Sequence, residues 1–281
     1  MNEAVKPRRV LRFTPLMIRI LSGAAFLLVF LALVLSGSWG VLILCVAVGG
    51  VALWEFRGLS DKMGYRSPVW LLFPLGALFT FYGAFLKGRL DLSLVLSVAL
   101  VIGLMVFLFT PGRRQGLGRW AMGMAGAIYI GMPLNYYLLL YFSGANGPAW
   151  LLYTILAAVG SDVLALLVGT RLGRHPFFAR ISPKKTVEGA LAGVAGPVLV
   201  FIFAAAVSLP IGLGAAVALG MLVGIAAEAG DLVESQMKRI ADVKDSSNLI
   251  PGHGGVLDRL DSVLFPSIVV YNVAFFLGLL K

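Results

Sequence analysis

Apolar runs of about twenty residues recur along this chain from one end to the other, and each is long enough to cross a ~30 Å hydrocarbon core. Within lipid every backbone N–H and C=O must find its partner inside the protein, so runs of this kind fold as helices. Nine spans are expected, at about 14–35, 39–57, 68–86, 91–110, 120–142, 149–170, 188–208, 211–230 and 263–280. Short turns rich in Gly, Ser, Asn or Pro separate them, such as Ser36-Gly37-Ser38 and 143–148. The fifth span is the weakest, because Gly116, Gly118, Gly123, Gly126, Gly131 and Pro133 are all potential helix breakers. The expected fold class is therefore all-α, a polytopic integral membrane protein with no separate soluble domain. With 59% hydrophobic residues, 13% charged residues and a mean hydropathy of +0.94, the chain lies outside the range of soluble domains. The first apolar run is too long for the core of a cleaved leader and reads as retained. The single cysteine, Cys45, rules out an internal disulfide.

Charge sets the orientation. With the N-terminus in the cytoplasm, nineteen of the 23 basic residues fall on inside segments, and only Lys87, Arg89 and Lys281 fall outside. That asymmetry requires an odd number of spans with the C-terminus outside. The net charge of +10 then reads as basic loops facing anionic lipid headgroups, not as a nucleic-acid footprint. Acids are distributed otherwise. Nine of the thirteen, with both histidines, lie between Asp162 and Asp261, whereas the first half holds Glu3, Glu55, Asp61 and Asp91. Residues 1–148 accordingly read as membrane scaffold and 149–281 as the catalytic membrane region.

Four constellations carry potential chemistry. Asp258 and Asp261 are three apart on a segment expected to be helical, and Asp231 ends the eighth span, so the three could converge on one magnesium ion at the cytoplasmic face. The alternative is salt bridges to Arg239 and Arg259. Ser182-Pro183-Lys184-Lys185-Thr186, ahead of Glu188-Gly189, reads as N-cap and N1 of the seventh helix, with an anion site at its first turn. A capped, positively anchored helix explains the same residues. Pro251-Gly252-His253-Gly254-Gly255 brings backbone close to a ligand, with His253 a candidate phosphate donor, or it is an ordinary loop. Asp162, within the sixth span, is expected to line the site or to pair with one of its lysines. There is no Walker loop, no His/Cys metal cluster and no nucleophilic Ser with a paired base.

Ser235, Lys238-Arg239, Lys244-Asp245, Pro251, His253-Gly254-Gly255, Asp258-Arg259 and Asp261 together resemble the signature of the CDP-diacylglycerol synthases, or phosphatidate cytidylyltransferases. Ser182-Pro183-Lys184-Lys185-Thr186 with Glu188-Gly189 is similar to a second motif of that family, and Asp162 with Gly169 and Gly173 to a third, in which Leu166 and Thr170 replace the usual Tyr and Arg. The resemblance covers roughly residues 155–265. It implies a membrane nucleotidyltransferase that converts CTP and phosphatidate to CDP-diacylglycerol and pyrophosphate with Mg2+, a second cation remaining open. Asp231, Lys238, Arg239, Asp258, Arg259 and Asp261 would be catalytic, and Asp231, Asp258 and Asp261 would hold the metal. Ser182, Lys184, Lys185, Thr186, Glu188, Lys244, His253, Gly254, Gly255 and Asp162 would bind substrate. The expected setting is a bacterial inner membrane with the active site cytoplasmic, membrane lipid and the two substrates as partners, no nucleic acid, and homodimerisation left open. A CTP-dependent lipid kinase would share basic loops without the full signature. A transporter would place its site near midplane on broken helices, whereas polar residues here gather at one face.

Overall fold

The computed structural model describes residues 15–87, 89–108 and 113–280. Within them the chain forms α1 (Pro15–Leu35), α2 (Ser38–Lys62), α3 (Val69–Phe81), a π-helical turn (Tyr82–Leu86), α4 (Leu92–Leu108), α5 (Arg113–Tyr141), α6 (Gly147–Leu172), α7 (Val187–Val207), α8 (Leu213–Ile240) and α9 (Leu257–Phe276). The described residues contain three isolated β-bridges and no strand. Among the described residues, six segments are long and apolar enough to cross a membrane: α2, α3 with its π-turn, and α6 to α9. A polytopic all-helical protein is thus observed. The expected basic residues Lys6, Arg8, Arg9, Arg12 and Lys281, and Glu3, lie outside the described residues.

Local sequence explains the punctuation. Gly37, at φ 87°, turns the chain between α1 and α2, and Pro148 sits in the first turn of α6, where a missing N–H is tolerated. The fifth helix does not break: α5 runs unbroken for 29 residues through Pro133. Its glycines are packing sites. A Cβ on Gly131 would run into the Gly76 carbonyl and Phe79, so the absence of a side chain is what lets α5 lie directly on α3. The eighth helix continues ten residues past its expected end at 230. Its 28 residues span about 42 Å, longer than a ~30 Å hydrocarbon core, so its polar C-terminal turns extend toward the membrane boundary.

Three apolar clusters hold the bundle. One joins α6, α7, α8 and the C-terminal half of α9 through Trp150, Phe201, Leu219 and Val270. A second joins α2, α3, α5 and the N-terminal half of α9 through Phe56, Leu72, Phe79, Ile130, Leu257 and Leu264. The third packs α1 and α2 against α5 and α6 through Val41, Tyr137 and Leu151. Helix α9 therefore inserts into both halves of the chain, and its first turn lies against α2. That placement carries the polar segment 241–256 back over the N-terminal helices.

Candidate active site

A cavity of about 890 Å³ opens where α6, α7, α8 and α9 meet α1 and α2. One part of its wall is apolar, with Phe30, Leu31, Val41, Leu44, Val48, Leu152, Leu156 and Val159. The other is polar and charged, with Asp162, Ser182, Lys184, Lys185, Thr186, Glu228, Asp231, Asp258, Arg259 and Asp261. Leu166 and Thr170, where the chain departs from the motif it resembles, also line it.

The charged wall is built from helix ends. Lys185 reaches from the 182–186 turn to Glu228 Oε2 at 2.6 Å and Asp231 Oδ2 at 2.8 Å, both on α8. Burial works against its charge, yet the Asp231 and Glu228 carboxylates outweigh that and hold its pKa above the ordinary lysine value. Asp231 also accepts from Ser235 Oγ one turn on, at 3.0 Å. On α9, Asp261 accepts from the Ser262 N–H at 2.8 Å, and Ser262 Oγ donates to Asp162 Oδ2 at 2.6 Å. Asp162, Asp231 and Asp261 lie within electrostatic reach of one another, so Lys185 faces a surplus of negative charge. Such a cluster is stabilised when a further cation completes it.

Continuous with this wall through Asp258 lies a second, buried set of acids. Asp258, 5% exposed, accepts from the Ser246 N–H at 2.8 Å, Ser246 Oγ at 2.7 Å and the Gly255 N–H at 2.8 Å, all on Oδ2, while Oδ1 meets Lys238 Nζ at 2.7 Å. Lys238 is shared with the fully buried Glu234. Glu55 on α2, 1% exposed, accepts from Ser247 Oγ at 2.6 Å, Ser246 Oγ at 3.3 Å and the N–H groups of Val256 and Leu257 at 3.0 and 2.6 Å. Glu55 thus satisfies the open N-terminus of α9 from a helix two hundred residues away. Gly254 adopts φ 86°, in the left-handed region, and a Cβ on Gly255 would collide with Ser246 and Glu55. Those two glycines are therefore required by the clamp around Glu55 and Asp258.

Several expectations change at this point. Ser182 does not cap the seventh helix, and Pro183 is not its first residue. Residues 182–185 form a turn closed by Lys185 N–H to Ser182 C=O at 3.1 Å, and α7 begins at Val187, with Thr186 as N-cap accepting from the Gly189 N–H at 3.2 Å. The first-turn anion site at 183–186 is therefore absent, although Ser182, Lys184, Lys185 and Thr186 all reach the cavity. Arg239 and Arg259 do not pair with the aspartates. Arg239 Nε donates to the Ile181 carbonyl at 3.0 Å, and Arg259 donates to the His253 carbonyl at 3.1 Å. The cations that pair with the acids of this site are Lys185 and Lys238. Glu188 turns away from the cavity, accepting from the Arg174 N–H at 3.0 Å and meeting His175 Nδ1 at 2.6 Å. His253, Gly254, Gly255, Lys238, Arg239 and Lys244 do not line the cavity wall. His253 Nδ1 instead meets Ser22 Oγ of α1 at 3.0 Å. Among the described residues no group of three or more His, Cys, Asp or Glu is already arranged to hold a metal ion. Asp231 and Asp261 present carboxylates on the cavity, and Asp258 presents the one oxygen held by Lys238.

Sequence reasoning passed over Glu55, Glu234, Ser246 and Ser262. One signal was available for Glu55, the acid embedded in an apolar run of the otherwise acid-poor first half, because an intramembrane carboxylate has a partner.

Residues 17–277 match the cytidylyltransferase family. The chain is similar to the phosphatidate cytidylyltransferase of Bacillus subtilis (strain 168), 34% identical over 255 residues that cover 88% of this chain and 93% of the relative. It is also similar to that of Synechocystis, 42% identical over 207 residues covering 71% and 69% of the two chains, and to that of Mycobacterium tuberculosis, 30% identical over 219 residues covering 75% and 64%. By this match over most of its length, the chain belongs to the cytidylyltransferase family.

Proposed function

We propose that the chain transfers the cytidylyl group of CTP to phosphatidate, giving CDP-diacylglycerol and pyrophosphate. The observation that carries this reading is the two-part cavity, since a lipid phosphate needs an apolar lane and an anion-handling wall side by side. Acyl chains would lie along Phe30, Val41, Leu44 and Leu156, with the phosphates against Lys184, Lys185 and Arg259. A phosphatidate oxygen attacks the α-phosphorus of CTP, the new P–O bond forms, and the bond to the bridging oxygen breaks with its electron pair leaving on pyrophosphate. The phosphomonoester is already ionised near neutral pH, so no side chain needs to remove a proton. The protein's work is to align the two phosphates and to offset their charge as it redistributes.

Mg2+ suits this donor set, because it takes one or two carboxylates together with substrate phosphates. Asp231 and Asp261 would hold it, and Asp258 would contribute Oδ1 once Lys238 moves onto phosphate; when bound, the ion draws off charge from the nucleotide phosphates. Lys238 and Arg239 would serve the pyrophosphate side, while His253, Gly254 and Gly255 shape the loop that holds Asp258. Nine membrane crossings, a cytoplasmic N-terminus and site, and a catalytic region formed by residues 149–281 complete the reading, supported by the nine apolar runs and the charge asymmetry. The test is transfer of label from [α-32P]CTP into chloroform-soluble lipid by purified protein with phosphatidate, with and without Mg2+. Label entering lipid only with phosphatidate and Mg2+ is expected, and CTP turnover that leaves the lipid unlabelled would sink the proposal.

A further inference from the structure

At the same end of the bundle as the active site, but on the far side of α2, a second cavity of about 480 Å³ lies between α2, α3, α4 and α5. Its wall brings together Arg57, Arg66 and Arg119 against one acid, Asp61, with Trp70 and Trp120 beside them. None of these residues has a part in the reaction described above. Arg66 meets Asp61 at 3.5 Å with both side chains about half exposed, so that pairing is loose. Arg119 has a glutamine, Gln115, as its hydrogen-bonding partner at 3.3 Å. Arg57 is set rigidly, its Nε donating to the Ser67 carbonyl at 3.1 Å. Ser67 is in turn fixed by its N–H and Oγ on Ser60 Oγ at 3.1 and 3.0 Å. Trp120 packs its indole against Gly103, where a Cβ would overlap the ring. The pocket is therefore a built concavity with two positive charges in excess, and not a scatter of loop cations.

We propose that this cavity binds the phosphate headgroup of an anionic phospholipid. Guanidinium groups match phosphate oxygens in bidentate geometry, and tryptophan favours the level of the headgroups. The lipid source is favoured over a free phosphate ion by the wall's apolar side. Gly103, Val106 and Phe107 of α4 line the pocket, and Leu104, Met105 and Leu108 beside them are exposed along the same helix, giving acyl chains a surface to follow.

The test uses full-length protein in phosphatidylcholine nanodiscs doped with a phosphatidylglycerol carrying a photoreactive diazirine beside its headgroup. Cross-links are mapped by mass spectrometry, with unlabelled phosphatidylglycerol, phosphatidylcholine or inorganic phosphate as competitors. Labels are expected in peptides spanning 57–70 and 103–120, displaced by phosphatidylglycerol and by neither other competitor. In the double variant Arg66→Gln/Arg119→Gln the labelling should fall at least about tenfold with cytidylyl transfer retained, because two charge-assisted contacts to phosphate are lost. Equal labelling by a phosphatidylcholine probe, or labelling unchanged in the double variant, would overturn the site. Displacement by inorganic phosphate would overturn its assignment to a lipid. Should the double variant misfold, the competition on the unaltered protein decides the matter.

Discussion

Helix α8 carries three acids at three-residue intervals, Glu228, Asp231 and Glu234, and α9 carries two, Asp258 and Asp261, and on both helices neighbouring acids meet different fates. Glu228, Asp231 and Asp261 face the cavity, whereas Glu234 is fully buried and Asp258 reaches the wall at only 5% exposure, its oxygens held from behind. Three residues along a helix is 300° of rotation, so such neighbours share a side of the helix but point some 60° apart. That offset is enough to place one carboxylate on a wall and its neighbour inside it. The cavity group keeps oxygens available for cations. The buried group spends its oxygens on backbone N–H groups, serines and Lys238, and in doing so, with Glu55, fixes the loop 246–257 against α2. Residues of one type thus divide between the cavity surface and the packing behind it according to what the next helix presents to them.

The largest effect should come from the cavity group. Asp231→Asn and Asp261→Asn each remove a charge at nearly constant shape, and turnover should fall by at least about 100-fold while the melting temperature in detergent stays near that of the unaltered protein. Loss of folding in both would erase the distinction between the groups. Next in size is Glu55→Gln. An amide has one accepting oxygen where the carboxylate has two, so at least one buried N–H or hydroxyl loses its partner, at a cost of about 2 kcal/mol. Thermal unfolding should shift down, and turnover should fall less than in the cavity variants.

Lys185→Ala should separate from Lys184→Ala. Lys185 offsets Glu228 and Asp231 directly, so its removal should lower both stability and turnover, whereas Lys184 should affect mainly the apparent requirement for CTP or phosphatidate. Because the Lys185 pKa is raised, the stability from its pairing is fully present below the ordinary lysine value and is lost only as pH rises through the higher folded value. Turnover between roughly pH 6 and 9 should therefore show no basic limb from this group, and a profile that loses such a limb in Lys185→Ala would contradict the assignment. The smallest effect is expected for Arg239→Ala, which frees the Ile181 carbonyl at an exposed site and should raise the substrate requirement only a few-fold, about 1 kcal/mol.

Much of this was readable before the fold was known. Lipid leaves an apolar run few options but a helix, so even the glycine-rich fifth segment follows the rule once its glycines prove to be contact surfaces. The polar signature between Gly230 and Asp261 was equally visible. What escaped was long-range. Nothing near Glu55 tells that a loop two hundred residues on will return to it, and nothing in Ser182-Pro183 tells that the helix waits for Thr186. The cations were misassigned for a related reason. Charge alone does not say whether Arg239 or Lys238 reaches an aspartate, because the tertiary path of the chain decides it.

The division between the two acidic groups is tested most directly by measuring thermal unfolding and Mg2+-dependent transfer of label from CTP on the same preparations of Asp231→Asn and Glu55→Gln. The account predicts that Asp231→Asn unfolds like the unaltered protein yet transfers no label at any Mg2+ concentration. It predicts that Glu55→Gln unfolds at a lower temperature while keeping measurable transfer and an unchanged Mg2+ requirement. An altered Mg2+ requirement in Glu55→Gln, together with near-normal transfer by Asp231→Asn, would contradict it.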